Sequence, residues 1–348
     1  MPVPLRLYCI EMSETSEMRA CPQLRGWRSP LEWAFTTSMS ILVLPTSPFV
    51  EAQLAALRRL APDETIETDP DATAGADDVE AILALKLAPG AARRYPRLRF
   101  VACAGAGVDG LLAGDELPAG IPITRPHDPL QAARMAQYVV LAVLRWHREL
   151  PLYEAQQRER RWARHLTRSE DEWTIGLMGF GALGRAVATG LAALHYPVRA
   201  WTRTRRSEGG ISMFFGANGL DTFLAGTRVL VCTLPLTGAT RGLLAAPVFA
   251  KLPTGAYVVN VSRGPILVDA DLIEALDTGQ LAGATLDVHA REPLPPDSPV
   301  WRHDRILVTP HVAAMPRPEI AAQQFLDNLQ RARRGEPLQH LVDRDRGY

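Results

Sequence analysis

Gly179-Phe180-Gly181-Ala182-Leu183-Gly184 constrains this chain more than any other stretch, because of what flanks it. Before it, Trp173 to Met178 is short and apolar, the pattern of a buried strand; after it, Arg185 to Leu194 reads as a helix. Strand, GxGxxG and helix in that order form the fingerprint of a dinucleotide-binding unit. Gly179 permits the tight turn, Gly181 lets a pyrophosphate approach the backbone, and Gly184 lets helix and strand pack closely. The phosphates then sit on the free N–H groups that open the helix, at Ala182 and Leu183.

The next strand, Tyr196 to Trp201, should end where an acidic residue would hold the ribose 2′-hydroxyl of NAD. Thr202 stands there instead, 18 residues beyond Gly184, and Arg203-Thr204-Arg205-Arg206-Ser207 follows. Guanidinium groups pair well with phosphate, so Thr202, Arg203, Arg205 and Arg206 read as a site for the 2′-phosphate of NADP. Alone, the same run would be a solvated basic turn; its place at the ribose position favours the phosphate reading.

A chain of 348 residues with 47% hydrophobic content implies two globular domains of ordinary size. Lys plus Arg and Asp plus Glu both number 38, a balance that argues against a nucleic-acid or anionic-membrane partner. No apolar run approaches the ~20 residues of a membrane span. Cys9, Cys21, Cys103 and Cys232 form no CxxC and no metal-ligand spacing, so no metal is expected and the thiols read as reduced, in a cytoplasmic protein.

Strand-like runs at 41–44, 81–85, 98–102 and 121–124 alternate with helical segments such as 50–60, which implies a first parallel sheet. A long helix over Leu130–Leu150 bridges to the second unit, and the basic stretch 156–168 reads as a loop. Beyond the fingerprint, further strands are expected at 229–232, 257–261, 284–288 and 306–309, with helices over 269–276 and 320–334.

Three ionisable residues follow strands of the second unit: Arg263 in Ser262-Arg263-Gly264-Pro265, Glu292 in Arg291-Glu292-Pro293, and His311 in Thr309-Pro310-His311. Each alone would be a solvated or structural residue. Together they occupy the ligand-binding rim of an open α/β sheet. The other histidines have no comparable context and read as surface or structural.

With these signatures in order behind GxGxxG, the chain from about residue 40 onward resembles the D-isomer-specific 2-hydroxyacid dehydrogenases. Within that family it is most similar to the branch that reduces glyoxylate and hydroxypyruvate, through Trp201–Ser207, Arg291–Pro296 and the terminal Val342–Tyr348. The resemblance implies two Rossmann-like doubly wound parallel-sheet domains with the active site in the cleft between them. It implies a substrate-binding domain over 39–137, completed by 319–348, and an NAD(P)-binding domain over 138–318. It implies that His311 is the general acid, Glu292 its partner that stabilises the imidazolium, and Arg263 the group that binds the substrate carboxylate and polarises its carbonyl. Asp287 would lie near the nicotinamide carboxamide, and Thr233, Leu234 and Pro235 would line the cofactor groove. The Gly-rich loop Ala104–Asp109 would receive the substrate carboxylate at Ala106 and Gly107. Lys86 would face the same cleft, near a position where that branch carries an aromatic residue, a departure that bears on substrate identity.

The activity implied is NADPH-preferring reduction of a small 2-oxoacid by a homodimer. Two rivals stand beside it: a relative with a different 2-hydroxyacid substrate, and a dinucleotide-sensing protein without turnover. The first 38 residues lack apolar periodicity and read as a disordered extension, with docking of Trp27, Trp33 and Phe35 on the first domain as the alternative. A chain starting at Met39 is expected to keep its melting temperature and activity; a large loss of either would make the extension part of the fold.

Overall fold

The computed structural model of the chain describes residues 39–71, 76–113, 117–118, 120–166 and 168–345. The expected extension, with Cys9 and Cys21, lies outside these residues, as do the last three of the terminal motif.

Short runs of Val, Ile, Leu and Ala, each bounded by turn residues, form two wholly parallel sheets. The first holds β1 (Ser40–Val43), β2 (Thr65–Glu67), β3 (Val79–Ala84), β4 (Phe100–Cys103) and β5 (Ile123–Thr124), in the order β2-β1-β3-β4-β5. Between them lie α1 (Pro48–Leu60), started by Pro48 and a Ser47 cap, and the single turn α2 (Asp109–Leu112). The chain then runs through α3 (Gln131–His147) and α4 (Leu150–Arg158) into the second sheet. Its strands are β6 (Ile175–Met178), β7 (Val198–Thr202), β8 (Ser212–Phe215), β9 (Val229–Cys232), β10 (Ala256–Asn260), β11 (Leu281–Leu286) and β12 (Ile306–Val308). They are ordered β12-β11-β10-β9-β6-β7-β8, so strand order reverses beside β6. The helices of this part are α5 (Ala182–Ala192), α6 (Gly216–Ala225), α7 (Ala246–Phe249) and α8 (Asp269–Asp277). The last helix, α9 (Pro318–Arg334), returns to the first sheet.

Successive strand residues point to opposite faces, and both faces are covered. Ile41, Val43, Leu83 and Phe100 pack under α1 and the Phe325 and Leu329 face of α9, while Leu42, Ile82 and Val101 pack on the other side. In the second sheet, Ile175, Leu177 and Val231 meet Val139 and Val143 of α3 and Val187 of α5. Met178, Leu230 and Val258 meet Phe223, Phe249 and Leu272 on the opposite face. Among the described residues no helix is long and apolar enough to cross a membrane.

Two expectations are corrected. The helix expected over 130–150 breaks at Glu149, which is left-handed at φ 54°, and Pro151 helps start α4. Part of the expected loop 156–168 is therefore helical. His147 is buried and structural: Nε2 donates to Arg168 O at 2.8 Å, which leaves Nδ1 to accept from the Tyr196 hydroxyl at 2.5 Å.

The chain crosses between the sheets twice, after β5 and before α9, and Asp128 ties the crossings together. Its buried carboxylate accepts from Arg317 N, Nε and Nη2 at 3.0, 2.9 and 2.9 Å and from Leu130 N at 2.9 Å. Gln131 and Arg134 add bonds to Ala314 O and Met315 O. The Arg317 guanidinium, helped by the two backbone N–H groups and opposed by burial, holds the Asp128 carboxyl far below the usual aspartate range. Because its folded pKa is depressed, this contribution is present above the unfolded value near ~3.9 and is lost only as pH falls through the folded one. Asp128→Ala is expected to cost roughly 2–4 kcal/mol in denaturant unfolding at neutral pH, discounted for the partly exposed Arg317. A change below ~0.5 kcal/mol would show that the crossings are held by other contacts.

Candidate active site

The fingerprint folds as its glycines require. Gly179 is left-handed at φ 101°, and a β-carbon on Gly184 would lie 2.4 Å from Gly179 O. A β-carbon on Gly181 would meet nothing within 4 Å, so the backbone there faces open space at the start of α5. The first N–H groups of α5, those of Ala182, Leu183 and Gly184, have no intrahelical acceptors. The turn lies at the C-terminal end of β6, where strand order reverses, the crevice that binds ligands in open α/β sheets. These features fit a dinucleotide pyrophosphate.

Thr202 ends β7 with its hydroxyl donating to Thr204 O at 2.8 Å, which shapes the turn that turns Arg203 and Arg205 outward. Arg206 Nη1 donates to Phe180 O at 3.1 Å, so one arginine ties the basic turn to the glycine turn. Arg205 lies over the Phe215 ring, 5.5 Å from its centroid. Thr233 Oγ1 donates to Gly179 O at 3.0 Å; Leu234 O accepts from Ser262 Oγ, and Pro235 O from Thr240 Oγ1 at 2.7 Å. Residues 233–235 therefore run beside the glycine turn.

Arg263, Glu292 and His311 follow β10, β11 and β12 at the same edge. His311 Nδ1 is 2.8 Å from Glu292 Oε2, and Glu292 Oε1 accepts from His289 N at 3.0 Å. Burial pushes the Glu292 carboxyl up, but the His311 and His289 hydrogen bonds and the two nearby imidazoles outweigh it, leaving a net depression. The loops after β10 and β11 touch: a β-carbon on Gly264 would lie 1.8 Å from His289 C.

His311 is left-handed at φ 57°, a costly conformation for a residue with a β-carbon, and buried groups hold it there. Asp287 Oδ1 accepts from Thr309 Oγ1 at 2.6 Å and from Val312 N at 2.9 Å, its Oδ2 accepts from Ala313 N at 2.9 Å, and its carbonyl accepts from His311 N at 2.7 Å. Thr309 has spent its one proton, so the 2.5 Å contact is Tyr138 donating to it; burial pushes the Tyr138 phenol up to about 12 and keeps it a donor. Asp287 thus anchors the histidine turn. Thr309, Tyr138 and the His289 backbone were not read from the sequence; a lone Tyr within the apolar stripe of α3 was the one available signal.

From the first sheet, the loop after β4 brings Ala106 and Gly107 to Arg263. A β-carbon on Gly107 would lie 1.2 Å from Arg263 Nη2, and Arg263 Nε donates to Asp109 Oδ1 at 2.7 Å. Arg125 reaches Ala106 O at 3.4 Å. Lys86 lies exposed just past β3.

Residues 140–313 match the family model described as D-isomer specific 2-hydroxyacid dehydrogenase, NAD binding domain. Over 256 residues the chain is 43% identical to glyoxylate/hydroxypyruvate reductase A of Klebsiella pneumoniae, covering 72% of this chain and 82% of that one. The chain belongs to the D-isomer-specific 2-hydroxyacid dehydrogenases. Among solved structures of this family, the Xanthobacter autotrophicus enzyme in complex with NADPH and MES superposes with TM-score 0.78 at 40% identity, covering 89% of this chain and all of that one. An NADPH-dependent glyoxylate/hydroxypyruvate reductase from Sinorhizobium meliloti, in complex with NADP and sulfate, gives TM-score 0.80 at 36% identity with the same coverage. The two parallel α/β sheets are those of a 2-hydroxyacid dehydrogenase, an NAD(P)-dependent oxidoreductase, and the cofactor is NADP(H) or NAD.

The depression of the Glu292 carboxyl depends on His311, which sets a direct test. In His311→Ala the burial effect is opposed by less, so the carboxyl should titrate at higher pH than in the parent, followed by its 13C shift. An unchanged titration would mean that the 2.8 Å pair is not formed in solution.

Proposed function

We propose that this dehydrogenase reduces a small 2-oxoacid of the glyoxylate and hydroxypyruvate type, with NADPH as the preferred donor. The observation that carries the reading is the His311–Glu292 pair at 2.8 Å, on the same sheet edge as Arg263 and the fingerprint. The bound nicotinamide supplies the hydride. With Nδ1 committed to Glu292, His311 Nε2 delivers the proton to the carbonyl oxygen, and the carboxylate stabilises the imidazolium that serves as acid. Arg263 binds the substrate carboxylate and polarises the carbonyl as charge develops on its oxygen. The N–H groups of Ala106 and Gly107 receive the carboxylate from the opposite side.

Arg203 and Arg205 take the 2′-phosphate, with Arg206 at the junction of the basic and glycine turns. Thr233, Leu234 and Pro235 line the groove. Asp287 stands beside the carboxamide pocket and, with its oxygens taken, serves it by holding the turn of His311. The first sheet with α9 is the substrate-binding domain of this scheme.

Two further features go with the reading. Trp162 is 90% exposed and Leu166 fully so, with Leu141 of α3 exposed nearby in sequence, apolar side chains that a second copy would cover in a homodimer. Buried, reduced Cys103 and Cys232 suit a cytoplasmic protein. One observation favours a different 2-oxoacid: exposed Lys86 adds a cation at the substrate edge.

Steady-state kinetics on glyoxylate and hydroxypyruvate with both dinucleotides tests the proposal. NADPH is expected to exceed NADH in kcat/KM by about one to two orders of magnitude, the worth of one good charge-assisted phosphate contact. His311→Ala is expected to lose ~100- to 10,000-fold in kcat. Equal use of NADH, near-parent turnover by His311→Ala, or no turnover of either acid would each overturn the corresponding part.

A further inference from the structure

Asp109 is not among the groups so far given a part in the reaction, yet it makes the most direct contact between the two sheet edges. The ion pair joins residues 154 positions apart: Arg263 Nε donates to Asp109 Oδ1 at 2.7 Å. Arg263 Nη1 donates to Ser262 O at 2.7 Å. The remaining nitrogen, Nη2, lies against Gly107, where a β-carbon would come within 1.2 Å of it. Two nitrogens of the guanidinium are therefore committed, and the third is held against the loop of Ala106 and Gly107.

We propose that Asp109 is a positioning residue for the reduction, acting through Arg263. By taking Nε it turns the guanidinium so that Nη2, with both protons unclaimed by these bonds, faces the loop N–H groups that receive the substrate carboxylate. The proposal rests on the reading of Arg263 as the substrate-binding cation. As a stabilising contact the pair counts for little, because the Arg263 and Asp109 side chains are 25% and 30% exposed and water screens them. As an orienting contact it counts for much, since a guanidinium is a planar, directional donor and an Arg side chain has many rotamers to lose. An acid that merely decorated the start of the single-turn helix α2 would not need to reach the second sheet.

The test compares full-length Asp109→Ala, Asp109→Asn, Arg263→Ala and the double alanine variant. KM and kcat for glyoxylate, NADPH affinity by fluorescence and melting temperature are measured for each. Asp109→Ala is expected to lower kcat/KM by about 10- to 100-fold, chiefly through KM, the scale of a reacting group displaced by ~1 Å. NADPH affinity and melting temperature should not move. Asp109→Asn, whose amide oxygen can still accept from Nε, should recover most of the loss. In the Arg263→Ala background, Asp109→Ala should cost nothing further. Parent kinetics in Asp109→Ala, or the same loss in both backgrounds, would overturn the proposal. If Arg263→Ala itself kept parent kcat/KM, the reading of Arg263 would fall and this proposal with it. Should the alanine variant not fold, Asp109→Glu, which shifts the carboxylate by one methylene, carries the test: a raised KM supports the proposal and unchanged kinetics overturn it.

Discussion

Both sheets are wholly parallel, and the rest of the structure follows from that pairing. Parallel neighbours cannot be joined by hairpins, so crossovers join the strands, and those that carry helices, such as α1, α5 and α6, cover the faces of the sheets. With both faces covered, the strands bury their side chains throughout, as β6, β9 and β10 do. Polar chemistry is left with the loops at the C-terminal edge. The glycine turn, Arg263, Glu292 and His311 all lie there, and the loop of Gly107 and Asp109 meets them from the corresponding edge of the first sheet.

Buried groups hold the residues of the candidate site in place. The left-handed His311 is kept in place by Asp287 through three backbone N–H groups and Thr309, with Tyr138 of α3 completing the chain. The seven-stranded sheet and the helix that leads into it therefore share in fixing the histidine. Asp128 does a similar service at larger scale, binding the two chain crossings on which the relation between the sheets depends.

What could be read in advance divides along physical lines. Both sheets, the fingerprint and the edge residues were legible, because strands buried on both faces leave continuous apolar runs and GxGxxG has a backbone reason for each glycine. The missed elements are those whose stability comes from elsewhere. The edge strands β2 and β8 bury little, and β8 follows Gly209-Gly210. Helix α6 opens with Gly216 and carries Gly219, poor helix formers, and is held by buried Phe223 and Leu224. Asp109, Asp128 and Asp287 act through partners 154, 189 and 22–26 positions away, and no local pattern announces such contacts.

The return of α9 to the first sheet also sets an order of events during synthesis. Residues 41–103 are complete early, but the face of Ile41, Val43 and Phe100 receives Phe325 and Leu329 only after residues 125–317 have been made. At ~5–20 residues per second, that apolar surface waits about 10–40 s for its cover. The second sheet, contiguous in the chain, can finish first and act as the spacer that delivers the missing helix. The ribosome thus releases the halves of this molecule in the opposite order to the one in which it begins them.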